Sequence, residues 1–264
     1  MNIVVRRSQQ WLALFAALLL FTAAAPAADI QVVSSGGFAP AYKSLASEFE
    51  KATGHHLITG WGPSMGETAN AIPNRLQRGE AIDVVVMVGS ALDDLIKQGK
   101  VIADSKAVLA RSKIGLAVRA GAAKPDISTV EALKRTLLDA KSIAYSDSAS
   151  GVYLAKVLIP RLGIAEQLKD KARMIPAEPV GKVVARGEAE IGFQQVSELK
   201  AIPGIDIVGI LPAEVEEVTL FSAGVISGAK ETAAGRALIQ FLASPAAVPV
   251  IEKTGLEAVS GKAQ

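Results

Sequence analysis

Short apolar runs alternate with amphipathic stretches along most of the chain. Residues Ile30–Val33, Val84–Val88, Ile114–Val118, Ile143–Tyr145, Ala172–Ile175 and Ile191–Phe193 read as strands, and Leu57–Ile58 opens another. The unbroken β-branched character of Val84–Val88 predicts a strand buried on both faces. Between these runs the apolar positions recur with the helical period. Pro40–Ala52 places Tyr42, Leu45, Ala46 and Phe49 on one face and stops at Gly54. Thr68–Arg78 stops at Gly79, Ala91–Gln98 at Gly99, and Val152–Leu162 at Gly163. Ser128 with Glu131 matches a capping box opening a helix through Leu138. Val180–Ala185 is a short helix, Val218–Ser227 a longer strand-like run, and Thr232–Leu242 and Ala246–Lys253 are closing helices.

Strand–helix alternation predicts right-handed βαβ units and a mostly parallel sheet. The pattern occurs twice with no flexible linker between. It predicts two lobes joined by extended strands, with crossings at Ile114–Val118 and Val218–Ser227. Residues 29–112 with 228–264 are expected in one lobe and 113–227 in the other. Ligands of open α/β folds sit at the carboxyl ends of the strands.

Three Gly/Ser-rich turns fall at such ends and each opens a helical stretch. They are Ser34-Ser35-Gly36-Gly37, Gly62-Pro63-Ser64-Met65-Gly66 and Ser146-Asp147-Ser148-Ala149-Ser150-Gly151. Free backbone N–H groups and small hydroxyls at a helix start suit an anion. Each turn is also ordinary strand-to-helix chemistry, since Gly and Ser favour turns and N-caps. Gln194 and Gln195 follow the strand Ile191–Phe193, where a side-chain amide can meet a ligand or cap the next helix. Tyr145 and Tyr153 flank the third turn; Arg75 and Arg161 are the candidates for a charged contact, although their helical positions suit a solvated face.

The N-terminus changes the charge picture. Arg6 and Arg7, the apolar run Trp11–Ala25 and Ala25-Pro26-Ala27 read as an export signal over residues 1–28. The run is shorter than the roughly 20 residues of a spanning helix. The chain has 28 Lys and Arg against 26 Asp and Glu. Removing the signal brings these to parity, which excludes a global positive field for nucleic acid or membranes. Absence of cysteine excludes disulfides, thiolate metal sites and cysteine nucleophiles. Localisation in a periplasm is the expectation.

Enzyme signatures are scarce. The chain has no P-loop and no HExxH. Its two histidines, His55 and His56, are adjacent, so on an extended segment they point to opposite faces and cannot ligate one metal. The expectation is a binding protein that is not an enzyme, with no catalytic residue, cofactor or resident metal; a secreted hydrolase is the less favoured reading.

Several segments carry a family resemblance. Val32–Phe38, Gly62–Gly66, Gly79–Val86, Ala149–Tyr153, Gly187–Phe193 and Ala237–Pro245 resemble the periplasmic molybdate-binding proteins of ABC importers, across essentially the whole mature chain. The resemblance implies a two-lobed periplasmic-binding-protein fold, each lobe a mostly parallel sheet flanked by helices. It implies a cleft closing on a tetrahedral oxyanion held by neutral donors, and delivery by a monomer to an ABC permease in the inner membrane. Ser64 fits the family's second-turn serine, Ala149 the third-turn backbone donor, and Val180 the start of the short helix. The first-turn serine falls on Gly37, with Ser34 and Ser35 beside it, and the binding tyrosine falls on or next to Gln195. The expected ligand site is therefore Ser34, Ser35, Gly36, Gly37, Ser64, Met65, Ser148, Ala149, Ser150, Val180, Gln194 and Gln195. A molybdate- or tungstate-like oxyanion is the first reading, and a small organic carboxylate the alternative raised by the departures at Gly37 and Gln195.

Overall fold

The computed structural model describes residues 27–259. The export signal expected at 1–28 falls almost wholly outside them. The strands are β1 (Asp29–Ser34), β2 (His56–Trp61), β3 (Val84–Val88), β4 (Ala107–Arg119), β5 (Ile143–Ser146), β6 (Ala172–Ile175), β7 (Ile191–Gln195), β8 (Ile205–Ile210), β9 (Val218–Val225) and β10 (Glu257–Ala258). The helices are α1 (Ala39–Thr53), α2 (Ile72–Gln77), α3 (Gly89–Lys97), α4 (Val130–Asp139), α5 (Ala149–Tyr153), α6 (Ile159–Leu162), α7 (Ala165–Leu168), α8 (Val180–Ala185), α9 (Val196–Lys200), α10 (Thr232–Leu242) and α11 (Val248–Lys253).

The strand order is β2-β1-β3-β9-β4-β7-β5-β6, with β8 and β10 also paired to β4. β1 runs parallel to β2 and β3, and β5 parallel to β6 and β7. The expectation of parallel strands holds within these two groups and fails between them. β9 is antiparallel to β3 and β4, and β4 is antiparallel to β7 and β8. The reason is directional: β4 runs on from the β9-paired group into the β7-paired group, and β9 returns beside the first half of β4 and beside β3.

β4 is also longer than its apolar run suggested. Its first half, Ala107–Lys113, pairs with β9, and Ile114–Val118 pairs with β7. Sequence patterning missed the first half because Arg111 and Lys113 interrupt it; Arg111 is exposed there while Ser112 is buried.

Four buried clusters fill the two lobes. Ile30, Val32, Val84, Val86, Phe221 and Val225 meet Tyr42, Leu45 and Phe49 of α1 and Leu238 and Leu242 of α10. On the opposite face, Val33, Val85 and Met87 meet Ile72, Leu92 and Leu95. In the second lobe Leu116, Ile143, Ile191 and Phe193 meet Leu133, Leu137, Leu154 and Leu158 on one side, and Ala144 meets Val180, Val183 and Val184 on the other. Each fully buried aliphatic or aromatic side chain contributes about 1.5–3 kcal/mol. The α-on-both-faces arrangement explains why β3 and β7 are buried at every position.

Three local details differ from the sequence pattern. α2 begins at Ile72, four residues later than expected, because Pro73 suits a first turn and not a helix interior. Thr129, one place after Ser128, caps α4: its hydroxyl accepts from Ala132 N at 3.1 Å, while Ser128 N turns to Asp126. The helix expected over Val152–Leu162 starts at Ala149 and widens into a π-turn over Leu154–Leu158. Pro160 supplies no N–H and crowds the carbonyl four residues back, and the wider turn relieves both. Among the described residues no single helix is long and apolar enough to cross a membrane.

Candidate functional site

The carboxyl ends of β1, β3, β5 and β7 converge between the lobes. They surround a small enclosed cavity lined by Ser35, Gly37, Val88, Ser148, Ala149, Ser150, Gln195, Glu198 and Phe221. Its free volume is about 10 Å3, room for about one water. A larger recess of about 450 Å3 adjoins it, sharing Val88 and Ala149 and reaching Met65, Ser90, Lys106 and Tyr153.

The first turn is shaped by its glycines. A Cβ on Gly36 would overlap Glu198 Oε1, and one on Gly37 would overlap the Phe221 ring. Both contacts bring α9 and β9 up against this backbone. Ser197 Oγ, the neighbour of Glu198, donates to Gly37 O at 2.6 Å. Ser35 is 2% exposed and its hydroxyl has no partner; Gln195 is 3% exposed and its Oε1 has none. The Gln195 amide nitrogen donates to Thr219 Oγ1 at 2.9 Å. Unpaired buried polar atoms cost about 1–3 kcal/mol each, so two residues that carry them in the lining of one cavity make it the candidate site.

The remaining expected residues divide by their partners. Ser148, Ala149 and Ser150 reach the cavity, and Ser150 Oγ is paired with Ser146 Oγ at 2.9 Å. Met65 lines the adjoining recess. Ser34, Ser64, Val180 and Gln194 are buried but do not line the cavity. Ser64 Oγ accepts from Val88 N at 2.9 Å, and Ser34 Oγ donates to Ser35 O at 3.3 Å. Val180 N donates to Gln194 Oε1 at 2.9 Å, so that N–H is already engaged. Tyr153 OH donates to Val215 O, and Arg75 is held by Glu80 and Trp61 O. His55 accepts from Ala28 N, and His56 faces Glu50.

Glu198 is the residue that sequence reasoning missed. Part of its side chain is accessible, yet enough protein surrounds its carboxyl to dominate its titration. Burial pushes its pKa up to about 7, against a lowering hydrogen bond from Gln194 and with the negative charge of Asp147 adding to the rise. Gln194 Nε2 donates to Glu198 Oε1 at 2.9 Å, and no ion pair to Glu198 occurs among the described residues. A signal existed: Glu198 lies four residues after Gln194, on the short helix that leaves a fully buried strand. Among the described residues no cluster of three or more His, Asp or Glu side chains is arranged to hold a metal ion.

Residues 30–257 match the model of the bacterial extracellular solute-binding proteins. The chain belongs to this family. An aconitate isomerase from a Pseudomonas species is 54% identical over 251 residues, covering 94% of this chain and 96% of that protein. A molybdate-binding protein from Azotobacter vinelandii is 29% identical, covering 89% and 92%. The solved periplasmic molybdate-binding protein of Azotobacter vinelandii superposes with a TM-score of 0.67 at 23% identity, covering 86% of this chain and 98% of that one, which fixes the fold as the two-lobed one of solute-binding proteins. The enzyme among these relatives overturns one expectation. The absence of familiar motifs argued against catalysis in this chain, but a single carboxyl group in a cleft is enough to move a proton, and no spaced motif announces it.

Proposed function

We propose that this solute-binding protein is an isomerase for aconitate or a closely similar unsaturated tricarboxylate. The carrying observation is the 54% identity to an aconitate isomerase across nearly the full length of both chains. The site supports it chemically. Ser35 Oγ offers an unpaired donor for a carboxylate oxygen, and the adjoining recess offers volume and the cation Lys106, paired to Asp93 at 2.5 Å. The enclosed cavity is far smaller than a six-carbon molecule, so the lobes open to admit the substrate and close around it, a hinge movement. The site works in an exported chain, with residues 1–28 acting as the signal.

The test is direct. Purified mature protein is incubated with cis-aconitate and the proton NMR spectrum is followed for the trans isomer. Conversion above the protein-free rate is expected. Its absence, with no heat of binding for either isomer, overturns the reading.

A second reading keeps the fold and replaces catalysis with transport. In it a monomer captures a molybdate-like oxyanion between its lobes and delivers it to a permease. The relative at 29% identity favours it, and so does a cavity lined by neutral donors. Calorimetry with molybdate and tungstate, run beside aconitate, separates the two.

A further inference from the structure

We infer that Glu198 is the group that carries the proton during isomerisation, moving it between the two ends of the substrate's three-carbon unit. The inference rests on the isomerase reading. Its own support is geometric: among the described residues Glu198 is the one carboxyl group lining the interlobe cavity, and it lies beside the unpaired atoms of Ser35 and Gln195.

A glutamate kept for structure alone is normally matched by a cation or turned to solvent. Glu198 has neither arrangement. Its Oε1 takes a neutral amide donor from Gln194 and rests on Gly36, the one residue type that leaves room for it there. Gln194 is itself pinned by Val180 N, so the carboxyl is aimed by a rigid neighbour. An amide partner lets the group be charged or neutral without leaving an unmatched cation behind. Such a group suits proton transfer near neutral pH.

The step balances within substrate and side chain. Aconitate carries a methylene group next to its double bond. A Glu198 carboxylate oxygen takes one methylene proton; the C–H bond breaks and its electron pair spreads over the three carbons and their carboxylates. The double bond re-forms between the other pair of carbons as the protonated Glu198 returns the proton to the far carbon. Nothing is oxidised or reduced, and Glu198 ends as it began. Gln194 is a positioning residue that keeps the oxygen in line.

The experiment compares wild type, Glu198→Gln and Glu198→Asp. It measures isomerisation of cis-aconitate, its binding by calorimetry, and exchange of the methylene hydrogens in D2O. Wild type is expected to isomerise and to exchange. Glu198→Gln should lose isomerisation and exchange by at least about 100-fold, the scale of general acid–base catalysis, while binding aconitate as well as wild type or better, since a charge that repels the substrate is gone. Glu198→Asp, with its carboxyl drawn back, should keep a reduced rate with an altered pH profile. This variant decides the matter if Glu198→Gln does not fold. A wild-type rate in Glu198→Gln, or an unchanged rate and pH profile in Glu198→Asp, overturns the role of Glu198 as placed here and leaves the isomerase reading intact. A wild-type protein that binds but never isomerises aconitate overturns the isomerase reading, and with it this inference.

Discussion

Two Gly/Ser turns that look alike in sequence do different work. In Ser34–Gly37 a buried hydroxyl at Ser35 stays unpaired at the cavity, and two glycines let Glu198 and Phe221 approach the backbone. In Gly62–Gly66 the buried hydroxyl of Ser64 accepts from Val88 N and so fastens the turn to the end of β3. The first turn leaves the Ser35 hydroxyl unsatisfied and gives up side-chain volume; the second has its serine hydroxyl bonded. A turn at a strand end becomes a candidate site through what it leaves unmatched, not through its composition.

The largest test of this contrast is Gly36→Ala. The added methyl meets only the end of the flexible Glu198 side chain, so the fold should survive. The displaced carboxyl should reduce isomerisation about 100-fold, the scale of losing a positioned acid–base group. Unchanged turnover with normal melting would show that the contact is incidental. Next is Ser64→Ala, which strands Val88 N and should lower stability by about 1–3 kcal/mol, read by urea unfolding, with little change in aconitate affinity for the folded protein. A loss of affinity without a loss of stability would make the two turns equivalent after all.

Ser35→Ala should do the opposite. Removing an unpaired buried hydroxyl leaves stability equal or higher, while aconitate binding measured by calorimetry weakens by about tenfold, the value of one hydrogen bond to a charged group. The smallest effect is in pH. Glu198 titrates near pH 7 in the folded protein and lower when unfolded, where burial no longer penalises its charge. The folded state therefore holds the proton more tightly. Its contribution is fully present below the unfolded value and is lost as pH rises through about 7. Wild type should gain stability relative to Glu198→Gln as pH falls from about 7.5 to about 5, measured as a difference in melting temperature. No difference would place the carboxyl in a watery setting.

Much of the fold was legible because its core strands are apolar on both faces. Val84–Val88 and Ile143–Tyr145 carry no polar interruption, and α8 matches its expected span at both ends. β8 and β10 were not foreseen: β8 is half-buried along most of its length and β10 spans two residues, so neither has a clear apolar signature. Of the candidate site, the gathering of residues was legible and the chemistry less so. Ser35, Gly37, Ser148, Ala149, Ser150 and Gln195 do surround one cavity. Whether a hydroxyl is free or occupied depends on partners distant in sequence, as Ser64 and Val88 illustrate. Glu198 escaped notice because a glutamate in the first turn of a helix is ordinarily a solvated residue favoured by the dipole, and its contact with Gly36 joins residues far apart in sequence.

The long strand β4 has a mechanical meaning. Its hydrogen bonds pass from β9 and β10 at one end to β7 and β8 at the other without a break in the chain's extended form. It acts as a common shaft. The parting of the lobes that the proposed function calls for would add twist to this shaft around Ser112–Ile114, where the partners change. Twist in a paired strand is elastic and limited in range, so such a shaft would return the two halves to the same alignment at each closure. A proton-transfer step that depends on a carboxyl from one half meeting a glycine from the other needs that repeatability.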